Sequence, residues 1–83
     1  MSKIKFNTLI IWNDEGILDT LHCRTLSGLF NLLTENSLYE TILEDTYRYE
    51  NRKNIIDLVE LYNSNKDEFQ FNLKLASDQI INY

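Results

Sequence analysis

The sequence predicts an α+β domain: an N-terminal β-hairpin, then two or three helices, then a C-terminal strand that returns antiparallel to the sheet. Three observations carry this. Residues 3–12 and 17–23 read as strands around the turn-forming "NDEG". Thr25 and Asn54 each stand as N-caps ahead of apolar residues at helical spacing. Finally, "FQFNLKL" (69–75) alternates Phe69, Phe71, Leu73 and Leu75 with Gln70, Asn72 and Lys74, the pattern of a half-buried strand. The order is ββαβαβ or ββαααβ, depending on residues 37–50.

In the first strand Ile4, Phe6, Thr8, Ile10 and Trp12 share one face, with Lys3, Lys5 and Asn7 on the other. Leu9 and Ile11 make its second half apolar on both faces, so this end belongs in the interior. A four-residue loop would place Trp12 opposite Ile17 and Ile10 opposite Asp19. That sets a carboxylate on the more apolar face, for which the local pattern offers no reason. From Thr25, the residues Leu26, Leu29, Phe30 and Leu33 form an amphipathic stripe that ends near Asn36, a residue that tolerates a left-handed cap.

The segment "SLYETILEDTYRYE" (37–50) supports two readings. As a helix it starts with a capping box, Ser37 and Glu40, and gathers Leu38, Tyr39, Ile42, Leu43, Thr46, Tyr47 and Tyr49 on half of the wheel. Glu40, Glu44, Asp45 and Arg48 then take the other half. Its tyrosines and threonines favour a strand instead. A helix over 37–45 with "TYRYE" extended reconciles the two. After Asn54, Ile55, Leu58, Val59 and Tyr62 make a core stripe that Ile56 and Leu61 widen, so this helix is either sandwiched in the domain or shared with another chain. "NSNKDE" is a polar loop, and "SDQIINY" suits either a helical turn or a strand.

The 83 residues make one domain, and with no proline and two glycines they encode no flexible linker. Thirteen acids against eight bases give a net charge of −5. That excludes unaided binding to nucleic acid or to an anionic membrane, both of which need clustered cations. Cys23 is the sole cysteine, so no internal disulfide exists and a reducing compartment is expected. The N-terminal apolar run is short and interrupted, and nothing approaches the roughly 18 residues of a membrane span. The expected location is the cytoplasm.

Few groups could catalyse a reaction. His22 and Cys23 are the only imidazole and thiol. As strand neighbours they point to opposite faces and form no nucleophile–base pair. One Cys and one His do not make a zinc site, and Gly28 stands alone rather than in a phosphate loop. Glu40 with Glu44, and Asp57 with Glu60, have helical spacing that could hold a divalent ion. Arg48 four residues after Glu44 makes a solvated surface pair the simpler reading. No enzyme, cofactor or metal is expected.

The distribution of charge is more informative. Glu35, Glu40, Glu44, Asp45, Glu50, Asp57 and Glu60 place seven of thirteen acids between residues 35 and 60. Carboxylates held close repel, so they do not serve the fold. A row of them can imitate nucleic-acid phosphates and enter a basic groove, and exposed tyrosines favour protein interfaces. Arg48, Arg52 and Lys53 in the same segment weigh against a purely acidic face. The candidate partner-binding residues are Glu40, Glu44, Asp45, Tyr47, Tyr49, Glu50, Asp57 and Glu60, and the candidate partner is a basic, nucleic-acid-binding host protein. The alternative is a structural or assembly subunit, a homodimer through helix 55–62 or strand 69–75.

Residues 8–62 resemble the ArdA-type antirestriction domain. The likeness lies in the strand, "NDEG", strand, helix order, followed by "YETILED" and "NIIDLVELYN". Asn13, Glu15 and Gly16 correspond to the Asn-Glu-Gly turn of that family, with Asp14 inserted. The resemblance implies an acidic α/β DNA mimic carried by a phage or other mobile element and directed at a host defence protein. It also implies a strand within 37–50. The family usually joins several domains and is more acidic than this chain.

Overall fold

The computed structural model describes residues 3–50, 52–65 and 68–82, with the backbone alone for 3–5 and 77–82. Strands β1 (Lys3–Asn13) and β2 (Gly16–Cys23) lead into helices α1 (Leu26–Thr34), α2 (Tyr39–Thr46) and α3 (Ile55–Ser64), and β3 (Asn72–Asn82) closes the chain. The order is therefore ββαααβ, in one antiparallel sheet of order β2-β1-β3. The central strand is the one whose second half is apolar on both sides.

The turn is tighter than a four-residue loop. Asn13 pairs with Gly16, which leaves only Asp14 and Glu15 between them, and Gly16 supplies the positive φ (131°) that the reversal needs. Trp12 pairs with Ile17 as expected, but the register then shifts, because Leu18 is an extra residue on β2. Ile11 therefore faces Asp19, and Ile10 faces Thr20 rather than Asp19. The shift explains the carboxylate. Asp19 stands on the helix side of the sheet, where it accepts a hydrogen bond from Asn36 Nδ2 just after α1. Asn36 Oδ1 in turn receives the Leu38 N–H at 2.9 Å, so one amide ties β2, α1 and α2 together. Truncating either Asp19 or Asn36 to alanine is expected to lose about 1–2 kcal/mol, and the double variant less than the sum, because a hydrogen bond to a charged group exceeds a neutral one. Urea unfolding of the three variants checks this.

All three helices cover one face of the sheet. The core joins Leu9 and Ile11 of β1 and Leu73 of β3 to Leu29, Leu33, Ile42, Leu58 and Tyr62 of the helices. The inner face of β1 is thus the odd-numbered one, and the face bearing Phe6, Thr8, Ile10 and Trp12 is turned away from the helices. The alternation at Lys3, Ile4 and Lys5 lies outside the described side chains. Thr25 and Asn54 cap as expected: Thr25 Oγ1 accepts from Gly28 N at 3.0 Å and Asn54 Oδ1 from Asp57 N at 2.9 Å. A methyl group at position 28 would collide with Cys23 Sγ and come within 2.9 Å of Thr25 Oγ1, so glycine lets α1 lie close against the end of β2.

Helix α3 is sandwiched within the domain. Ile55, Leu58, Val59 and Tyr62 are buried, which leaves Ile56 as its one strongly exposed large apolar residue among those described. Most of the apolar stripe over 55–62 thus packs into the core. Phe69 and Phe71 precede the strand rather than belong to it. Their rings pack on Tyr62 at centroid distances of 4.5 and 5.7 Å. The strand starts at Asn72 and runs through the tail to Asn82, so "SDQIIN" is strand rather than a helical turn. Tyr83, and residues 66 and 67 of the polar loop, lie outside the described residues.

Candidate functional site

Residues 39–46 are helical, and "TYRYE" leaves the helix without forming a strand. The strand implied by the antirestriction resemblance is absent from this segment. The capping box does not form. Leu38, not Ser37, occupies the N-cap position and its side chain has no acceptor to offer, while Asn36 Oδ1 receives the Leu38 N–H outside the helix. Two residues anchor α2 to the core: Ile42 is fully buried, and Thr46, also fully buried, satisfies its hydroxyl by donating to Ile42 O at 2.6 Å. Tyr39 packs edge-on against Phe30 at 6.3 Å.

The opposite side of α2 faces solvent. Glu40, Leu43, Glu44 and Tyr47 recur there at positions i, i+3, i+4 and i+7, one continuous stripe along the helix. Leu43 is 41% exposed and Tyr47 69% exposed. A large apolar pair at i, i+4 thus lies open alongside a pair of carboxylates with the same spacing. On the wheel Leu43 and Tyr47 belong with the core half, so the buried arc of α2 is narrower than its apolar arc.

Other predicted site residues serve the fold. Asp45 accepts from Tyr62 Oη at 3.4 Å, from Gln70 N at 3.3 Å and from Gln70 Nε2 at 3.5 Å, and so ties α2 to α3 and to the approach to β3. Tyr49 is half-buried, with its ring edge-on to Phe69 at 6.1 Å and its hydroxyl donating to Glu68 at 3.3 Å. Asp57 completes the cap of α3, with its carboxylate accepting from Asn54 Nδ2 at 3.0 Å. Glu50 and Glu60 are exposed, the latter on α3.

Beyond the end of α2 the charge changes sign. Arg48, Arg52 and Lys53 line an open cleft of about 680 Å³ together with Tyr47, Tyr49, Glu50 and Asp57. The Arg48 guanidinium, expected against Glu44, is found 5.9 Å from the centre of the Tyr47 ring. The structure therefore brings together a stripe in which Leu43 and Tyr47 run beside Glu40 and Glu44 and a mixed, cation-rich cleft that begins at Tyr47, its C-terminal end. Leu43 is the residue of this stripe that the sequence reading left out.

His22 Nδ1 and Thr8 Oγ1 lie 2.9 Å apart on the sheet face turned away from the helices, while Cys23 packs on the helix side. Among the described residues no group of three or more His, Cys, Asp or Glu could hold a metal ion, and no helix is long and apolar enough to cross a membrane. Comparison with protein-family models, with curated proteins and with solved structures returns no match.

Proposed function

We propose that this chain is a small, non-enzymatic binding protein. It acts in the cytoplasm and inhibits a larger, basic, nucleic-acid-processing protein by occupying its groove with the α2 stripe. The observation that carries the reading is the exposed Leu43–Tyr47 pair running beside Glu40 and Glu44 on a helix that is otherwise well anchored. An amphipathic helix face laid into a groove is a recurring recognition mode, in which apolar anchors give residence and charges give steering. A host defence protein as target, and a phage or mobile element as carrier, is the concrete form suggested by the antirestriction resemblance. Arg48, Arg52 and Lys53 refine it: the groove needs bases opposite Glu40 and Glu44, and an acid or a bare carbonyl opposite the end of the stripe.

The test is paired affinity capture from host lysate, with the wild-type chain and the Glu40→Lys/Glu44→Lys variant as baits and a salt step before identification by mass spectrometry. The expected result is a nucleic-acid-binding protein retained by the wild type, released by salt and absent from the variant. An identical set of proteins on both baits would sink the proposal.

A further inference from the structure

The sheet face opposite the helices is unlike the rest of this molecule. Phe6, Ile10 and Trp12 of β1 and Ile17 of β2 lie on it, fixed there by the register, and Ile17 is 66% and Trp12 38% exposed. The edge-on pairing of Phe6 with His22, 6.5 Å between ring centres, confirms the side. None of the described helices covers this face. Thr20 and His22 on one flank, and Asn72, Lys74 and Ala76 on the other, complete it. In a chain with thirteen acids, no carboxylate stands among its described side chains on this face; Asp14 and Glu15 sit at the hairpin tip beyond it.

We propose that this face is the contact between two copies of the chain, packed sheet on sheet. Its charge selects the occupant. Among the described side chains a basic partner would find no acid to pair with, and a nucleic acid or an acidic partner would find one lysine and one histidine. A second copy, which elsewhere repels its twin through a net charge of −5, meets here a face on which neither copy brings a described carboxylate and each brings one lysine at the flank. The size is adequate but small. Rows from Phe6 to Trp12 across three strands cover about 20 by 14 Å, of order 500 Å² of accessible surface per copy, near the lower limit for a specific interface. So small a contact belongs with weak, reversible associations. It is independent of the α2 proposal and compatible with it, because the helices lie on the far side of each sheet and both acidic stripes stay open.

Trp12 is the only tryptophan, and so a built-in probe of this face. The experiment is sedimentation equilibrium of the full chain from about 1 to about 200 μM, a span suited to so weak an association, with acrylamide quenching of Trp12 across the same series. The expected result is a mass that rises to twice 9.9 kDa, with quenching falling several-fold in step. Ile17→Glu, at an exposed position, is expected to raise the dissociation constant at least tenfold, and Leu43→Glu on α2 to leave it unchanged. A single-chain mass at the highest concentration would overturn the proposal. So would a doubled mass with Trp12 quenching unchanged, which would place the contact at a strand edge or elsewhere.

Discussion

Replacing Tyr62 with alanine is expected to leave the chain largely unfolded in water at room temperature. Tyr62 is 1% exposed and is the aromatic centre of the core: its ring stacks on Phe71 at an interplanar angle of 8° and lies against Phe69. Large aromatic-to-alanine changes in cores cost about 3–5 kcal/mol, which is comparable to the whole stability of a domain this small. Tyr62→Phe keeps the packing and gives up only the hydroxyl bond to Asp45, so it is expected to lose about 1 kcal/mol. The pair of variants also has a pH signature. Burial first, then the Asp45 charge and its hydrogen bond, push the Tyr62 phenol far above its ordinary value of 10.0. A raised native pKa means stability that is complete below pH 10 and declines as pH rises above it, where the unfolded chain sheds a proton that the native state keeps. The slope is about 1.4 kcal/mol per pH unit. Urea midpoints measured from pH 9 to pH 11 are expected to fall more steeply for the wild type than for Tyr62→Phe.

The elements that were legible in the sequence are those decided by neighbours in the chain. The hairpin, the Thr25 and Asn54 caps and the alternation at 72–75 all rest on residues within a few positions of one another. What failed was decided at a distance. Which face of β1 is the inner one depends on where the helices land, and a strand with Leu9 and Ile11 on one side and Ile10 and Trp12 on the other does not say. The Leu18 bulge moves Asp19 to the helix side, and its partner Asn36 is 17 residues away. The same holds at the site. Glu40 and Glu44 take the solvent side that helical spacing gives them, and Tyr47 joins them although the wheel sets it with the apolar half, but Asp45, Tyr49 and Asp57 are taken up by Tyr62 and Gln70, by Phe69 and Glu68, and by Asn54. The capping box at Ser37 does not form because the chain turns at Asn36, whose carbonyl and side chain take the N–H groups of Tyr39 and Leu38, and the helix starts one residue later. Asn36 is itself held by Asp19, 17 residues away.

Tyr47→Ala is expected to weaken binding of a captured partner about thirtyfold while leaving the urea midpoint nearly unchanged. Its ring is mostly in solvent, so the fold loses little; at an interface a desolvated tyrosine is a frequent hot spot worth about 2 kcal/mol. The loss is expected in the dissociation rate, since the ring acts only once seated. Glu40→Lys/Glu44→Lys is expected to act on the other limb. Exposed rim charges mainly steer encounter, so this variant should slow association and flatten or reverse its dependence on salt, with a smaller change in dissociation. Surface plasmon resonance on both variants at two salt concentrations separates the effects. If neither variant changed either rate, α2 would carry its acids for solubility alone. If Tyr47→Ala slowed association in a salt-dependent way, the contribution would come from Arg48, which rests over that ring, and the cation-rich cleft rather than the acidic stripe would be the surface that meets the partner.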